Sequence, residues 1–456
     1  MSNIFVETLG CPKNQEDSEK IAGLLELAGH RIVQDPDESD VIILNTCGFI
    51  EDAKRESIET FFDFVPYKDK GTKLIVTGCL TQRYPEEIKS ELPEADAIFG
   101  VNDYEKLPGV LSELLEDENV DRAERMLFAS SASKNLEAPR VALSPRFSSY
   151  LKIAEGCSNN CAYCIIPRIR GPYRSQPIEQ ILDQSKKLAE EGCKELILIA
   201  QDLTWYGKDI YGQYVLPEVL RKLLAEDSLK SIEWFRLLYC YQERVTDELI
   251  ELMAKEKRIL PYIDIPLQHV NGEVLKNMRR LSTPEGIRKT ISDLRSAMPG
   301  MVIRTTFITG LPGETEEAFQ ELYDFVRETR FNRLGVFAYS PEDGTDAILM
   351  PNQVEKEVAE ERRDAIMALQ QQISLEKNME LIGTTQDVIV EEIEEDKNPE
   401  KFVYVGRAMG DAPEIDGSVI FSAPVVAAGN PYDTIGKIVK VRITDAMDYD
   451  LVGEMV

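Results

Sequence analysis

Tyr150-Leu151-Lys152-Ile153-Ala154-Glu155-Gly156-Cys157-Ser158-Asn159-Asn160-Cys161-Ala162-Tyr163-Cys164 joins a short apolar run to three cysteines spaced C-x3-C-x2-C. A strand that delivers three thiols to one tight loop supplies a ligand to each of three irons in a four-iron, four-sulfur cluster, where a fourth cysteine would close the last iron. An open position separates a catalytic metal from a structural one, because a cosubstrate can occupy it. The amino and carboxylate groups of S-adenosylmethionine suit that position. Zinc normally takes four ligands, and no fourth Cys or His follows at finger spacing, so a zinc knuckle or a redox dithiol fits the stretch less well.

Outward from this strand, over 150–154, the alternation continues downstream. Strands are predicted at 195–200, 234–238, 263–265, 302–308 and 334–337, with helical stretches such as 177–191 and 315–329 between them. Six β/α units predict a partial or open barrel, although a doubly wound sheet has the same signature. Upstream, apolar runs at 4–6, 41–44, 73–76 and 97–100 alternate with amphipathic stretches at 17–28, 51–62, 85–90 and 104–115, which predicts an open parallel α/β sheet. A charged helix over 354–381 leads to a tail in which 386–391, 402–407, 418–421 and 438–443 are rich in Val, Ile and aromatics between Gly, Pro and Asp. That rhythm predicts a small all-β, OB-like barrel. With a first boundary in the polar segment 116–135, the expected division is 1–135, 143–375 and 378–456.

Cys11, Cys47 and Cys79 each follow the carboxyl end of a predicted strand of the first unit, after Leu9-Gly10, Asn45-Thr46 and Thr77-Gly78. In open α/β sheets the crevice beyond those ends gathers residues remote in sequence. Three sulfurs meeting there would again hold a cluster with one open iron. Their spacings of 36 and 32 residues match no short metal motif, so the placement is what points to them. Cys193 and Cys240 sit in or beside apolar stretches and read as small buried hydrophobes. His30 and His269 are the only histidines, so any metal here is held by sulfur.

Two segments carry a choice. Leu311-Pro312-Gly313-Glu314-Thr315 lacks the G-K-S/T ending of a phosphate loop and is either a strand-to-helix turn with an acid near the helix N-terminus or a cosubstrate contact. Pro167-Arg168-Ile169-Arg170-Gly171-Pro172-Tyr173-Arg174 is either a solvated basic loop or a patch that meets a carboxylate or phosphate beside the cluster.

The 456 residues bury enough core to need no disulfide framework for their eight cysteines, and the start lacks a basic segment followed by a long apolar one. A reduced, cytoplasmic protein with no membrane span is expected. A formal net charge of −29 disfavours a protein whose work is to coat a phosphate backbone and suits a basic partner, though it also serves solubility.

These residues resemble the radical S-adenosylmethionine methylthiotransferases over essentially the whole chain. Cys11, Cys47 and Cys79 fall where that family's N-terminal domain binds an auxiliary 4Fe–4S cluster, Cys157, Cys161 and Cys164 match its radical loop, and the β tail looks like its TRAM domain. Gly10-Cys11-Pro12-Lys13-Asn14, Gly156-Cys157-Ser158-Asn159-Asn160-Cys161, Ile169-Arg170-Gly171-Pro172-Tyr173-Arg174-Ser175 and Asp264-Ile265-Pro266-Leu267-Gln268-His269 look like the branch that modifies an aspartate of the twelfth small-subunit ribosomal protein. The sister branch acts on a tRNA adenosine, more often reads G-C-Q-M-N at the first cysteine and has a basic tail. Here the tail from 379 holds about ten more acidic than basic residues, which suits a basic protein. Ala200-Gln201-Asp202-Leu203-Thr204 departs slightly, with Leu203 where some relatives carry Thr.

The resemblance implies two 4Fe–4S clusters, S-adenosylmethionine, the ribosomal protein as substrate and an electron donor such as a flavodoxin or ferredoxin. It implies that an electron from the radical-loop cluster cleaves S-adenosylmethionine. The 5′-deoxyadenosyl radical then takes hydrogen from the aspartate β-carbon, which captures a methylated sulfur held at the auxiliary cluster. No side-chain acid or base beyond the cluster ligands is required for that abstraction. A tRNA substrate and a non-enzymatic iron–sulfur carrier are the alternatives, and the carrier needs far less machinery than this chain has.

Overall fold

Val41-Ile42-Ile43-Leu44 is apolar at every position, which a strand tolerates only in a sheet covered on both faces. The computed structural model describes residues 1–116, 126–127, 138–394, 401–424 and 430–456, so most of the expected boundary at 116–135 lies outside the described residues. The first unit is a six-stranded parallel sheet of β1 (Asn3–Thr8), β2 (Arg31–Val33), β3 (Val41–Thr46), β4 (Lys73–Gly78), β5 (Ala97–Phe99) and β6 (Met126–Leu127), in the order β2-β1-β3-β4-β5-β6. Val41, Ile43 and Ile75 pack with Ile21 and Leu25 of α1 (Pro12–Leu27), while Ile42, Leu44 and Val76 pack on the other face with Phe61 of α2 (Glu51–Phe64). Winding reverses between β1 and β3, and that reversal opens a crevice at the carboxyl ends of the strands.

The second unit contains β7 (Ser148–Lys152), the short antiparallel pair β8 (Ala154–Glu155) and β9 (Arg174–Ser175), then β10 (Glu195–Ile199), β11 (Trp234–Leu237), β12 (Ile259–Asp264), β13 (Val302–Thr309) and β14 (Arg333–Ala338). Its six parallel strands β7, β10, β11, β12, β13 and β14 are neighbours in chain order and do not close, which settles the open barrel over the doubly wound sheet. Outward residues such as Leu196, Leu198, Phe235 and Ile263 meet the helices, and Tyr150, Ile197, Trp234 and Tyr262 line the inside. β12 begins four residues earlier than the sequence pattern suggested. Pro261, which has no N–H to pair, lies within it, where the β11–β12 register shifts.

The helix Lys356–Met379 leads into β15 (Thr385–Glu394), β16 (Lys401–Ala408), β17 (Val419–Pro424), β18 (Ile438–Ala446) and β19 (Leu451–Met455), a closed barrel in the order β15-β16-β17-β19-β18. Val388, Val390, Tyr404, Phe421 and Ile443 fill it. The small barrel caps the amino end of the open one. Ile389 and Ala412 join Tyr150, Ile197, Trp234 and Tyr262 in one apolar cluster, and Arg407 donates across to Glu195, the first residue of β10, at 2.6 Å. The carboxyl end of the open barrel is left to face the first unit. No helix among the described residues is long and apolar enough to cross a membrane.

Candidate functional site

Cys11, Cys47 and Cys79 stand just beyond β1, β3 and β4, three strands adjacent in the sheet. Their loops are in close contact. Gly10 has φ +97°, and a Cβ there would lie 2.7 Å from Cys47 Cβ; at Gly78, φ +109°, it would lie 2.4 Å from the Thr46 carbonyl. Asn14 Nδ2 donates to the Leu9 and Thr46 carbonyls at 2.8 and 3.0 Å, tying the first loop to the second. Cys11 is the N-cap of α1, where helix N–H groups and dipole favour an anion.

Burial pushes the Cys47 thiol up to about 12, reinforced by the charges of Cys79 and Cys11, and burial pushes Cys79 upward while Arg170 pulls it back. Such thiols ionise when a metal meets them. Among the described residues no three Cys, His, Asp or Glu side chains group for a single metal ion. One tetrahedral ion with metal–sulfur bonds of about 2.3 Å draws its sulfurs to about 4 Å. A cluster takes one sulfur per iron, and each of the three loops offers one sulfur.

Cys157, Cys161 and Cys164 follow β8. Gly156, at φ +80°, lets the backbone pass beneath Pro172, whose carbonyl would be 2.2 Å from a Cβ. The Cys157 N–H donates to the Gly171 carbonyl at 3.1 Å, and the Ala162 N–H to the Met278 carbonyl at 3.0 Å. Donors are aimed at the sulfurs: Asn159 Nδ2 lies 3.5 Å from Cys157 Sγ, Tyr241 Oη 3.8 Å and Arg280 Nη1 4.0 Å from Cys161 Sγ. Asn159 is itself fixed by Asp202, at 2.8 Å, and by Arg244, at 3.1 Å. Hydrogen bonds from cationic and amide donors suit thiolates that carry charge on iron. Burial pushes Cys157 up to about 11 and Cys164 higher.

The basic segment after the loop is not solvated at Arg170. This side chain is 3% exposed and donates to Asp17 Oδ2 at 2.9 Å, Glu155 Oε2 at 3.1 Å, Asn14 Oδ1 at 2.6 Å and Cys79 Sγ at 3.3 Å. Lys152 joins the same group through Glu155, at 2.6 Å, Glu16, at 3.3 Å, and Asp17. Despite burial, Lys152 and Arg170 hold Glu155 well below the usual carboxylate range. One buried ionic hub therefore touches a cysteine of the first set and, through Glu155, the backbone two residues ahead of Cys157. Sequence reasoning missed Asp17, Lys152 and Glu155, because charges on a helix or strand end ordinarily read as a solvated face.

At the segment 311–315, the Glu314 carboxylate is bonded within the protein. Oε2 accepts the Gly310 N–H at 2.7 Å and Oε1 accepts from Arg362 at 3.0 Å, while Thr315 caps the helix Glu316–Thr329. His269 accepts the Asn271 N–H at Nδ1, at 2.9 Å. Its Nε2 is 3.7 Å from Glu314 Oε2, but that carboxylate is already committed to Arg362, and burial together with the Arg362 charge pushes the imidazole down to about 3. Cys193 and Cys240 are fully buried in the outer core, as their surroundings in the sequence suggested.

Family models match in three places: the uncharacterized protein family UPF0004 over residues 3–100, the Radical SAM superfamily over 151–326 and the TRAM domain over 382–456. The ribosomal protein uS12 methylthiotransferase RimO of Clostridioides difficile (strain 630) is 47% identical over 457 residues, covering 100% of this chain and 99% of its own. The chain belongs to the RimO family of radical S-adenosylmethionine methylthiotransferases. The RimO of Desulforamulus reducens is 46% identical, with 100% of both chains covered. More distant in sequence, and informative about fold alone, are two solved structures. The radical S-adenosylmethionine methyltransferase TsrM from Kitasatospora setae has a TM-score of 0.56 at 13% identity, covering 84% of this chain and 80% of its own. The cobalamin-dependent S-adenosylmethionine radical enzyme OxsB has 0.53 at 14%, covering 81% and 56%. Membership of the RimO family makes the chain a radical S-adenosylmethionine methylthiotransferase.

Proposed function

We propose that this enzyme methylthiolates the β-carbon of an aspartate in ribosomal protein uS12, with an auxiliary 4Fe–4S cluster on Cys11, Cys47 and Cys79 and a second on Cys157, Cys161 and Cys164. The observation that carries the reading is the hub of Arg170, Asp17, Lys152 and Glu155, which locks the two cysteine sets into one dry frame. When bound, the clusters supply the electron that cleaves S-adenosylmethionine and a position for the sulfur that is transferred. The chain's own part is geometric. Asn159, Arg280 and Tyr241 steady the radical loop, Asn14 and Arg170 steady the auxiliary one, and burial excludes water that would quench a radical. We assign these tasks to modules at 1–135 and 143–375, and substrate docking to the acidic module at 378–456. The charge of −29 supports a basic protein substrate over tRNA.

The test is an anaerobic assay of the reconstituted enzyme with S-adenosylmethionine, a flavodoxin or ferredoxin as electron donor, and uS12 and tRNA offered in parallel, read by mass spectrometry. A methylthio increment on a uS12 aspartate is expected. Modification of tRNA alone would replace the substrate, and intact S-adenosylmethionine would end the radical reading. Cys157→Ala is expected to abolish cleavage of S-adenosylmethionine; Cys47→Ala is expected to spare it and stop thiolation.

A further inference from the structure

Among the described residues, every buried Lys or Arg side chain but one meets an oxygen acceptor. Lys20 and Lys152 have Glu16, Arg170 has Asp17, Arg236 and Arg407 have Glu195, Arg244 has Asp202, Arg362 has Glu314 and Arg280 has the Pro266 carbonyl. Lys13, 7% exposed, has no ion pair or hydrogen bond from its ammonium among the described residues. Its Nζ lies over the face of Tyr239, 2.7 Å from the ring centre. Asp264, a carboxylate whose charge acts on Lys13, is occupied by Arg304 at 2.8 Å and by the Tyr239 N–H at 2.9 Å.

The position of Lys13 is as telling as its lack of a partner. It stands two residues after Cys11, while Tyr239 is two residues past the carboxyl end of β11, at the mouth of the open barrel. Tyr239 is held at φ +64°, a conformation that non-glycine residues adopt at a cost and that clusters at functional sites. Two residues further on, Tyr241 reaches Cys161 Sγ. The segment 239–241 therefore spans from the neighbourhood of the auxiliary set to the radical loop, with the Lys13 ammonium on its auxiliary side.

We infer that Lys13 binds the side-chain carboxylate of the substrate aspartate. The inference rests on the reading of uS12 as substrate and deepens it. A buried ammonium without an acceptor is costly until an anion arrives, and the substrate brings one. The carboxylate carbon is bonded directly to the β-carbon, so gripping it places the reacting atom within one bond of a fixed point. The same contact selects aspartate over asparagine, whose amide offers neither the charge nor the second acceptor oxygen.

The experiment uses the reconstituted full-length enzyme without S-adenosylmethionine, so that binding is read apart from turnover. Fluorescently labelled uS12 is titrated alongside the form whose target aspartate is replaced by asparagine. The wild-type enzyme is expected to prefer aspartate by tenfold or more, Lys13→Arg to retain a preference, and Lys13→Met to bind the two forms within about twofold. Lack of discrimination by the wild-type enzyme overturns the inference without any enzyme variant, and so does a Lys13→Met protein that keeps the preference. If Lys13→Met weakens S-adenosylmethionine binding instead, the lysine serves the cosubstrate and the inference also falls. Failure of the wild-type enzyme to modify uS12 at all would strike the substrate reading itself, and is scored in the separate assay above.

Discussion

Arg170 forks between two carboxylates, an amide oxygen and a sulfur in a place closed to water, so its removal strands Asp17 and Glu155 with Lys152 as their remaining cation. Breaking a buried pair from one side costs about 3–5 kcal/mol. Arg170→Met is expected to lose about that much in urea unfolding followed anaerobically, and Arg170→Lys to recover only part, because an ammonium cannot fork planar bonds to several acceptors. A wild-type stability in Arg170→Met would show that the hub is ornamental. His269 gives the residue scale a pH dependence. Its folded pKa, about 3, lies below the ordinary 6.5, so between those values the unfolded chain holds a proton that the folded one refuses. Stability is therefore intact above about 6.5 and falls with acidification at about 1.4 kcal/mol per pH unit from this group. His269→Gln, which keeps an acceptor for the Asn271 N–H, should flatten that slope between pH 6.5 and 5.5 in thermal unfolding.

At the scale of elements, the loops that carry Cys11, Cys47 and Cys79 meet through glycine. Gly10→Ala would force a Cβ into Cys47 at a backbone conformation that alanine resists, and the loops must part. With the two proposed four-iron clusters the expected consequence is selective: iron per chain falls from about eight toward about four as one is lost, while cleavage of S-adenosylmethionine persists. Equal loss from both sets would mean that the two do not load independently. The strands that carry these loops were readable because β1, β3 and β4 are apolar, branched runs followed by polar helices. The three-residue β2, with one buried position, and the two-residue β6 had no such pattern to show. α1 was read as starting at 17 and starts at Pro12, because Pro12-Lys13-Asn14-Gln15-Glu16 offers no apolar residue to a periodicity search. Glu16 and Asn14 are buried against residues 136 and 156 positions away, Lys152 and Arg170. No local pattern encodes a partner at that distance. The cysteines were legible through strand placement; the hub and Lys13 were not, since a charge in a sequence does not announce whether water or protein will surround it.

Across the whole molecule, the small barrel closes the amino end of the open one, and the carboxyl end takes the first unit, so the chain encloses its chemistry between two neighbours. The closure rests on the apolar cluster around Trp234 and Tyr262 and on Glu195, which accepts from Arg407 at 2.6 Å and from Arg236 at 2.7 Å. Despite burial, those two arginines hold Glu195 down to about 2, so the carboxylate stays charged throughout the working range, and its contribution is lost only as pH falls below about 4.5 toward 2. Arg407 also donates to Glu391 and to the Asp411 carbonyl, both in the small barrel, so it pins that barrel to itself and to its host at once. Arg407→Met leaves Glu195 with one cation and frees both contacts. The small barrel should then detach more often, exposing residues 380–384 between the helix Lys356–Met379 and β15. Limited proteolysis under native conditions is expected to cut there at least tenfold faster than in the wild-type enzyme, since a loss of about 1.4 kcal/mol already raises an open population tenfold. Unchanged cleavage in Arg407→Met would place the closure in the apolar cluster and in the other contacts across the seam, such as Arg333 with Asp411 and Tyr262 with Asp416.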